Sequence, residues 1–279
     1  MTISPFQSLA CPLDGTPLTR SDRSWTCCSG HSFDIARQGY VHLLPVQKKR
    51  SKDPGDSKEM VAARQRFLNT GHYGPIADAV NRAVLEGSEE GELACLDAGC
   101  GEGYYLRKLA ASIPVSLALS ALGLDISKWA VLAAAKQEKG GGYVVGSNAN
   151  LPVLPGSVDR VLCLFGFPVY SEFHRVLRPG GRVIQVDAGP DHLRELREII
   201  YPELKPTRDR DPAAPEGFSA VSTEEIRYEL ALDGRDTIGD LLAMTPHLYR
   251  ASAEGREKAQ RLESIRVTVS ALVRVLEKL

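Results

Sequence analysis

Between residues 91 and 200, short apolar runs alternate with stretches of helical spacing, and this alternation limits the fold more than any other feature of the chain. ELACLDAG reads as a strand, YYLRKLAAS as a helix, SALGLDIS as a strand and KWAVLAAAKQE as a helix. GGYVVGSN, VDRVLCLFGF and GGRVIQVDAG follow as strands, and DHLRELREII as a helix. Strands separated by helices bury both faces of a parallel sheet. Farther on, EEIRYELALDG and SIRVTVSALVRVL are rich in β-branched residues and lack crossover helices, which predicts an antiparallel pair closing the sheet edge. Residues 91–279 are therefore expected to form one α/β domain on a seven-stranded mixed sheet.

The chain ahead of this domain is different in kind. Residues 1–46 hold Cys11, Cys27, Cys28 and His31, the turn pairs Asp14-Gly15 and Ser29-Gly30, and little apolar mass. So small a segment rarely buries enough surface to fold without a staple. Residues 47–90 read as a basic helical connector that opens with QKKRSKDPGDSKEM. Asp56 and Glu59 suggest a capping box, followed by a helix through VAARQRFLNTG that Gly71 ends. A second helix, PIADAVNRAVLE, carries Pro75 in its first turn and stops at Gly87.

The N-terminus, MTISPFQSLACPLDG, has neither the basic start nor the apolar core of a secretory signal. No apolar run approaches the roughly 20 residues that span a bilayer. The expectation is a cytoplasmic protein without membrane contact, whose six cysteines are thiols or metal ligands and not disulfides. A net charge of -1 means that any nucleic-acid partner must be met by a local basic patch.

The first strand of the domain runs into LDAGCGEGYY, with Gly99, Gly101 and Gly103 on alternate positions. A dinucleotide fingerprint needs glycine where this chain has Tyr104, and no phosphate-binding G-x-x-x-x-G-K-[ST] loop is present. The turn, with Asp97 ahead of it and Glu102 within it, suits a ligand without a pyrophosphate whose charged amino-acid end lies near bare backbone. Asp125 ends the next strand, 22 residues after Gly103, about where a carboxylate accepts ribose hydroxyls. The third strand ends in GSNANLP, where Asn148 is placed to meet an adenine edge. Together the three strand ends describe a nucleoside bearing an amino acid, S-adenosylmethionine.

The run LDAGCGEGYY, with GLDIS and LRPGG after it, resembles the class I S-adenosylmethionine-dependent methyltransferases, and implies their Rossmann-like fold. The stretch containing GYVHLLP, PGDSKEM and FLNTGHY is similar to the large-subunit (23S) ribosomal RNA guanine-N(1) methyltransferases, in which a zinc module precedes the catalytic domain. The resemblance runs from about residue 11 to 205. It implies methylation of guanine N(1) in a hairpin loop of 23S ribosomal RNA, a zinc-finger-like RNA-recognition module, and further cofactor contacts from Tyr73 in GHYGP and His192 in GPDHL. It leaves room for a homodimer.

The zinc pattern is broken at one position. A four-ligand finger would read C-x-x-C and C-x-x-x-H, but Asp14 stands where a second cysteine should follow Cys11, ahead of Cys27 and His31. Three alternatives stay open: Asp14 as fourth ligand, Cys28 in its place, or a metal-free module packed on Trp25, Phe33 and Tyr40. Lys48, Lys49, Arg50 and Lys52 suit phosphate contact. Phe165, Phe167 and Tyr170 in LFGFPVY are candidates to stack on the acceptor base, and no catalytic base is assigned. Deleting residues 1–46 is expected to leave a core that still binds cofactor. Two rival readings are a small-molecule methyltransferase with an accessory module and a non-catalytic, cofactor-binding RNA-interaction protein.

Overall fold

The computed structural model describes residues 2–45, 51, 53–88, 90–204, 213–245, 247 and 251–279. Lys48, Lys49, Arg50 and Lys52 lie outside the described residues. The N-terminal part contributes β1 (Thr2–Pro5), β2 (Leu18–Arg20), β3 (Ser24–Cys27), β4 (Ser32–Asp34) and β5 (Tyr40–His42). Then come α1 (Lys58–Asn69), α2 (Gly74–Leu85), β6 (Gly91–Ala98), α3 (Tyr104–Ser112), β7 (Leu117–Asp125), α4 (Lys128–Gln137) and β8 (Gly142–Val145). The chain continues through β9 (Val158–Leu164), α5 (Tyr170–Val176), β10 (Leu177–Ala188) and α6 (Arg194–Ile200). It closes with β11 (Phe218–Asp233), α7 (Arg235–Ala243), α8 (Ala253–Gln260) and β12 (Ser264–Lys278).

The main sheet runs in the order β11-β12-β10-β9-β6-β7-β8-β5. Strands β10, β9, β6, β7 and β8 pair in parallel, while β12 is antiparallel to both β10 and β11. These are the seven expected strands, including the closing antiparallel pair. Two more come from the N-terminal segment: β5 pairs with β8, and β1 pairs with the first half of β7, bringing the sheet to nine strands among the described residues. Only β2, β3 and β4 form a separate antiparallel sheet. Phe6, Leu9, Leu18, Trp25, Val41 and Leu43 share one buried cluster with Leu96, Leu122, Leu124, Val144 and Val153. The module is thus packed into the core of the main sheet. Among the described residues no helix is long and apolar enough to cross a membrane.

The connector helix α1 starts one residue later than a capping box at Asp56 would place it. Ser57 is the N-cap; its Oγ accepts from the Met60 amide at 3.3 Å and donates to Glu59 at 2.9 Å. Asp56 is drawn off into an ion pair with Arg64 one helical face along. Helix α2 has its proline in the first turn and ends before Gly87.

Candidate functional site

All the strand-end residues expected to meet the cofactor converge beyond the C-terminal ends of β6, β7 and β8, where open parallel sheets bind ligands. Gly99, Gly101 and Gly103 hold φ of 109°, 54° and 82°, values that side chains rarely tolerate. The left-handed turn carries the chain from β6 directly into α3. A Cβ at Gly99 would meet nothing within 4 Å, so the turn faces open space. Beneath it sits Asp97, 1% exposed, with neither carboxyl oxygen paired. Burial first, and the nearby Asp125 second, push its carboxyl up to about 8. An orphaned buried carboxyl is costly, and a cationic ligand group would relieve that cost.

Asp125 is tied more tightly than the sequence suggests. Its oxygens accept from the Gly101 amide at 3.0 Å and the Ser127 amide at 2.8 Å, so the acid locks the glycine turn to the end of β7. Each oxygen retains lone pairs for a ribose hydroxyl. Asn148 donates to the Ala98 carbonyl at 3.2 Å while its own Oδ1 stays buried and unpaired. Glu102, expected to contact the cofactor, is buried at 1% exposure within the turn. One oxygen receives Arg107 at 2.7 Å and Gln137 at 2.8 Å, and the other has no partner.

Tyr73 and His192 meet, although 119 residues separate them. Tyr73 Oη lies 3.3 Å from His192 Nε2, and Phe165 packs beside both rings at 6.2 and 5.8 Å between centroids. The Ser270 amide donates to His192 Nδ1 at 3.3 Å. Burial pushes the imidazole down to about 4, so it is neutral near pH 7 and its one proton sits on Nε2. His192 therefore donates to Tyr73, and the Tyr73 hydroxyl keeps its own proton to give to a ligand. Burial also raises the Tyr73 phenol well above its ordinary range, which keeps that donor protonated. Phe165 itself, and Leu193 next to His192, hold φ of 53° and 52°, strained backbone of the kind that collects at binding sites.

The acceptor candidates separate. Phe165 joins the ring cluster at 40% exposure, and Phe167 projects at 87% exposure from the end of β9. Tyr170 is not available to stack on a base. It opens α5, donates to Gln185 at 2.7 Å and packs edge-on against Phe173 and Phe218.

One wall of the cleft escaped the sequence reading. Gly55 approaches so closely that a Cβ there would lie 2.8 Å from Ile126, and Ser127 donates to the Asp56 carbonyl at 2.7 Å. The Pro54-Gly55-Asp56 turn thus closes over the residues after Asp125. From α1, Arg64 pairs with Asp56, donates to the Met244 carbonyl at 3.2 Å, and reaches across the glycine turn. A Cβ on Gly101 would lie 3.4 Å from its guanidinium. In the sequence this segment stands out only through the resemblance of PGDSKEM, and its Pro-Gly pair marks a turn but not what the turn covers.

In the N-terminal module Cys11, Asp14, Cys27 and His31 bring one donor atom each within 4.8 Å of the others. Both thiols lie 3.4 Å from His31 Nδ1, Asp14 Oδ2 lies 3.2 Å from it, and Cys27 Sγ lies 3.6 Å from Asp14 Oδ2. Bonds of about 2.0–2.3 Å around a tetrahedral zinc imply donor separations of about 3.3–3.8 Å, so the cluster has the size of a zinc site. Thr16 fixes the carboxylate by donating from its amide at 3.0 Å and its hydroxyl at 2.6 Å to Oδ1, leaving Oδ2 for a metal. Cys28 is exposed and outside the cluster, which favours the first of the three alternatives.

Comparison with known proteins agrees with both parts of the chain. Residues 9–52 match the zinc-ribbon family described as "RlmA, N-terminal", and residues 96–185 match a methyltransferase domain. A 23S rRNA (guanine(748)-N(1))-methyltransferase of Streptomyces fradiae is 34% identical over 92% of this chain and 90% of its own length. A protein of Micromonospora griseorubida named as a 23S rRNA (guanine-N(1)-)-methyltransferase is 33% identical over 96% and 95%. YxjB of Bacillus subtilis, with a similar name, is 32% identical over 95% of both chains.

Proposed function

Because the chain belongs to the family of 23S ribosomal RNA guanine-N(1) methyltransferases, we propose that it methylates N(1) of a guanine in a hairpin loop of 23S ribosomal RNA. The methyl donor is S-adenosylmethionine, which supplies an electrophilic methyl group on a sulfonium. The observation that carries the reading is similarity running through the zinc module and the catalytic domain together, and the cleft supports it chemically. In this reading residues 1–46 recognise RNA, 47–90 connect, and 91–279 catalyse, in the cytoplasm where ribosomal RNA is available.

Each residue then has a task. Asp97 takes up the cationic amino-acid end of the cofactor, Asp125 accepts ribose hydroxyls while holding the glycine turn, and Asn148 Oδ1 accepts from the adenine. Gly99, Gly101 and Gly103 keep side chains out of the way, and Glu102 braces the turn through Arg107 and Gln137. Tyr73, oriented by His192, donates its hydroxyl proton to an acceptor in the cleft. Guanine N(1) is amide-like and a poor nucleophile until its proton leaves, so alignment with the methyl group and a hydrogen bond to O6 matter most. The target base must leave its stack, and Phe165 and Phe167 offer ring faces to receive it. Mass spectrometry of ribosomal RNA from a deletion strain is expected to show 1-methylguanosine missing at one 23S site and restored by the cloned chain. An unchanged modification pattern would refute the reading.

Zinc in the module is held by Cys11, Asp14, Cys27 and His31 and acts as a staple with no open position for chemistry. An oxygen ligand in place of a thiolate weakens such a site. Asp14→Cys is expected to slow zinc loss to a chelator by about tenfold or more, within the range by which single ligand-shell changes alter metal affinity. Faster loss in the variant would show that Asp14 is not the fourth ligand.

A further inference from the structure

On the side of the sheet edge away from the cofactor strand ends, the module and the catalytic domain enclose an open cleft of about 530 Å³. Arg20, Arg37, Lys136 and Lys139 line it, with Glu138 as the one acid and Trp25 in the floor. The cations come from separate places. Arg20 lies in β2 directly across from Trp25, and Arg37 lies in the turn before β5. Lys136 lies in the last turn of α4, and Lys139 just past its end. All four are exposed, and none takes part in an ion pair among the described residues. Glu138, whose carboxylate accepts from the Gly140 amide at 2.6 Å and pairs with none of the four, offsets one of their charges and leaves the lining clearly cationic.

Several arginines elsewhere in the chain are neutralised. Arg64, Arg66, Arg107, Arg175, Arg178 and Arg182 each lie against a carboxylate. A helix C-terminus explains a lysine such as Lys136, but it does not explain two arginines brought in from the facing module. Like charges converging in a concavity repel one another and focus their field on any anion that enters.

We propose that this cleft is a second contact for the substrate RNA, taking its phosphodiester backbone. The proposal rests on the reading of the chain as an RNA methyltransferase. Backbone and not base recognition follows from the lining: Trp25 is only 5% exposed, so it is floor and offers no stacking face, while lysine and arginine act as point charges toward phosphate. Helix α4 links the two sites. Its N-cap Ser127 sits beside Asp125, its other end borders the cleft, and ten residues of helix measure about 15 Å. The RNA must therefore extend beyond the target loop to fill both sites.

The test compares the full-length chain with the quadruple variant Arg20→Gln, Arg37→Gln, Lys136→Gln, Lys139→Gln, using 23S ribosomal RNA transcribed in vitro as the probe. RNA binding is expected to weaken about 10- to 100-fold, and the slope of log K against log salt to fall by about 3–4, at about 0.7–0.9 for each of four lost phosphate contacts. Cofactor affinity by calorimetry, melting temperature and kcat at saturating RNA are expected to stay as in the parent. A control variant, Lys58→Gln with Arg256→Gln, removes exposed unpaired cations elsewhere and should change the slope far less. A quadruple variant with the parental slope, or a control with an equal effect, would overturn the cleft as a site. So would a loss confined to binding of a nucleoside monophosphate. If the parent chain itself shows no salt-dependent RNA affinity, the RNA reading falls as well. If the parent shows it and the quadruple variant keeps it, the cleft alone falls.

Discussion

Asp97→Asn is expected to weaken binding of S-adenosylmethionine by about 10- to 100-fold while making the cofactor-free protein more stable. The two effects have one cause. In the free protein the carboxyl is buried and both oxygens lack partners, so its ionised form is penalised and its pKa stands at about 8. An aspartate raised from 3.8 is best tolerated below its unfolded value, and stability is lost as pH climbs toward the folded value. Asparagine avoids that loss, so the gain in melting temperature should be absent near pH 4, grow with pH and level off above about 8. With a stabilisation of about 1–2 kcal/mol, a chain of this size gains roughly 2–8 °C. The bound cofactor reverses the balance, because a cation beside Asp97 favours the carboxylate, and a charge-assisted hydrogen bond contributes about 1.5–3 kcal/mol.

The same coupling gives binding a pH signature. Below about pH 8 the parent must release a proton to bind, so cofactor affinity should rise with pH, about tenfold per unit at the steepest. The rise should end near pH 8, where Asp97 is already ionised and the ligand's α-amino group, at about 7.7–8.0, begins to lose its own proton. Calorimetry in buffers of different ionisation enthalpy should detect the released proton in the parent and a smaller release in Asp97→Asn. Affinity independent of pH between 6 and 8 in the parent would show that Asp97 does not meet the cationic end.

What the sequence made legible follows from the range of each signal. Gly99, Asp97, Asp125 and Asn148 lie at the ends of regular strands, so strand order alone brings them together. The metal cluster was legible by composition and turn residues, and the structure adds that Thr16 aims the Asp14 carboxylate. Arg64 was not legible, because its place over Gly101 depends on the path of α1 across the strand ends. Tyr170 looked like a stacking ring because it follows β9. Instead it begins a seven-residue helix, which turns its side chain toward Phe218. Strands β1 and β5 were missed because TISP and YVH are too short to show any periodicity.

Those two short strands change what a truncation can test. Removing residues 1–46 is expected to abolish stable folding of the remainder, and not to yield a core that binds cofactor. The deletion strips β1 from β7 and β5 from β8, exposing strand edges in the sheet that carries Asp125. It also removes Phe6, Leu9, Val41, Leu43 and Leu44, all buried and packed in the core clusters of the catalytic domain. Each such side chain contributes about 1.5–3 kcal/mol on burial, and five of them together match the roughly 5–15 kcal/mol that stabilises a whole domain. Backbone bonds run the same way: the Leu43 amide donates to Val145 at 2.8 Å and the Ala10 amide to Pro152 at 3.0 Å. A fragment of residues 47–279 should therefore aggregate or melt without a cooperative transition, and show no cofactor binding by calorimetry. A soluble fragment that unfolds cooperatively and binds S-adenosylmethionine as the full chain does would prove the module separable. Short of that result, loss of RNA methylation on truncation reports lost folding, and the RNA contacts of the module have to be tested by surface substitutions that leave β1 and β5 in place.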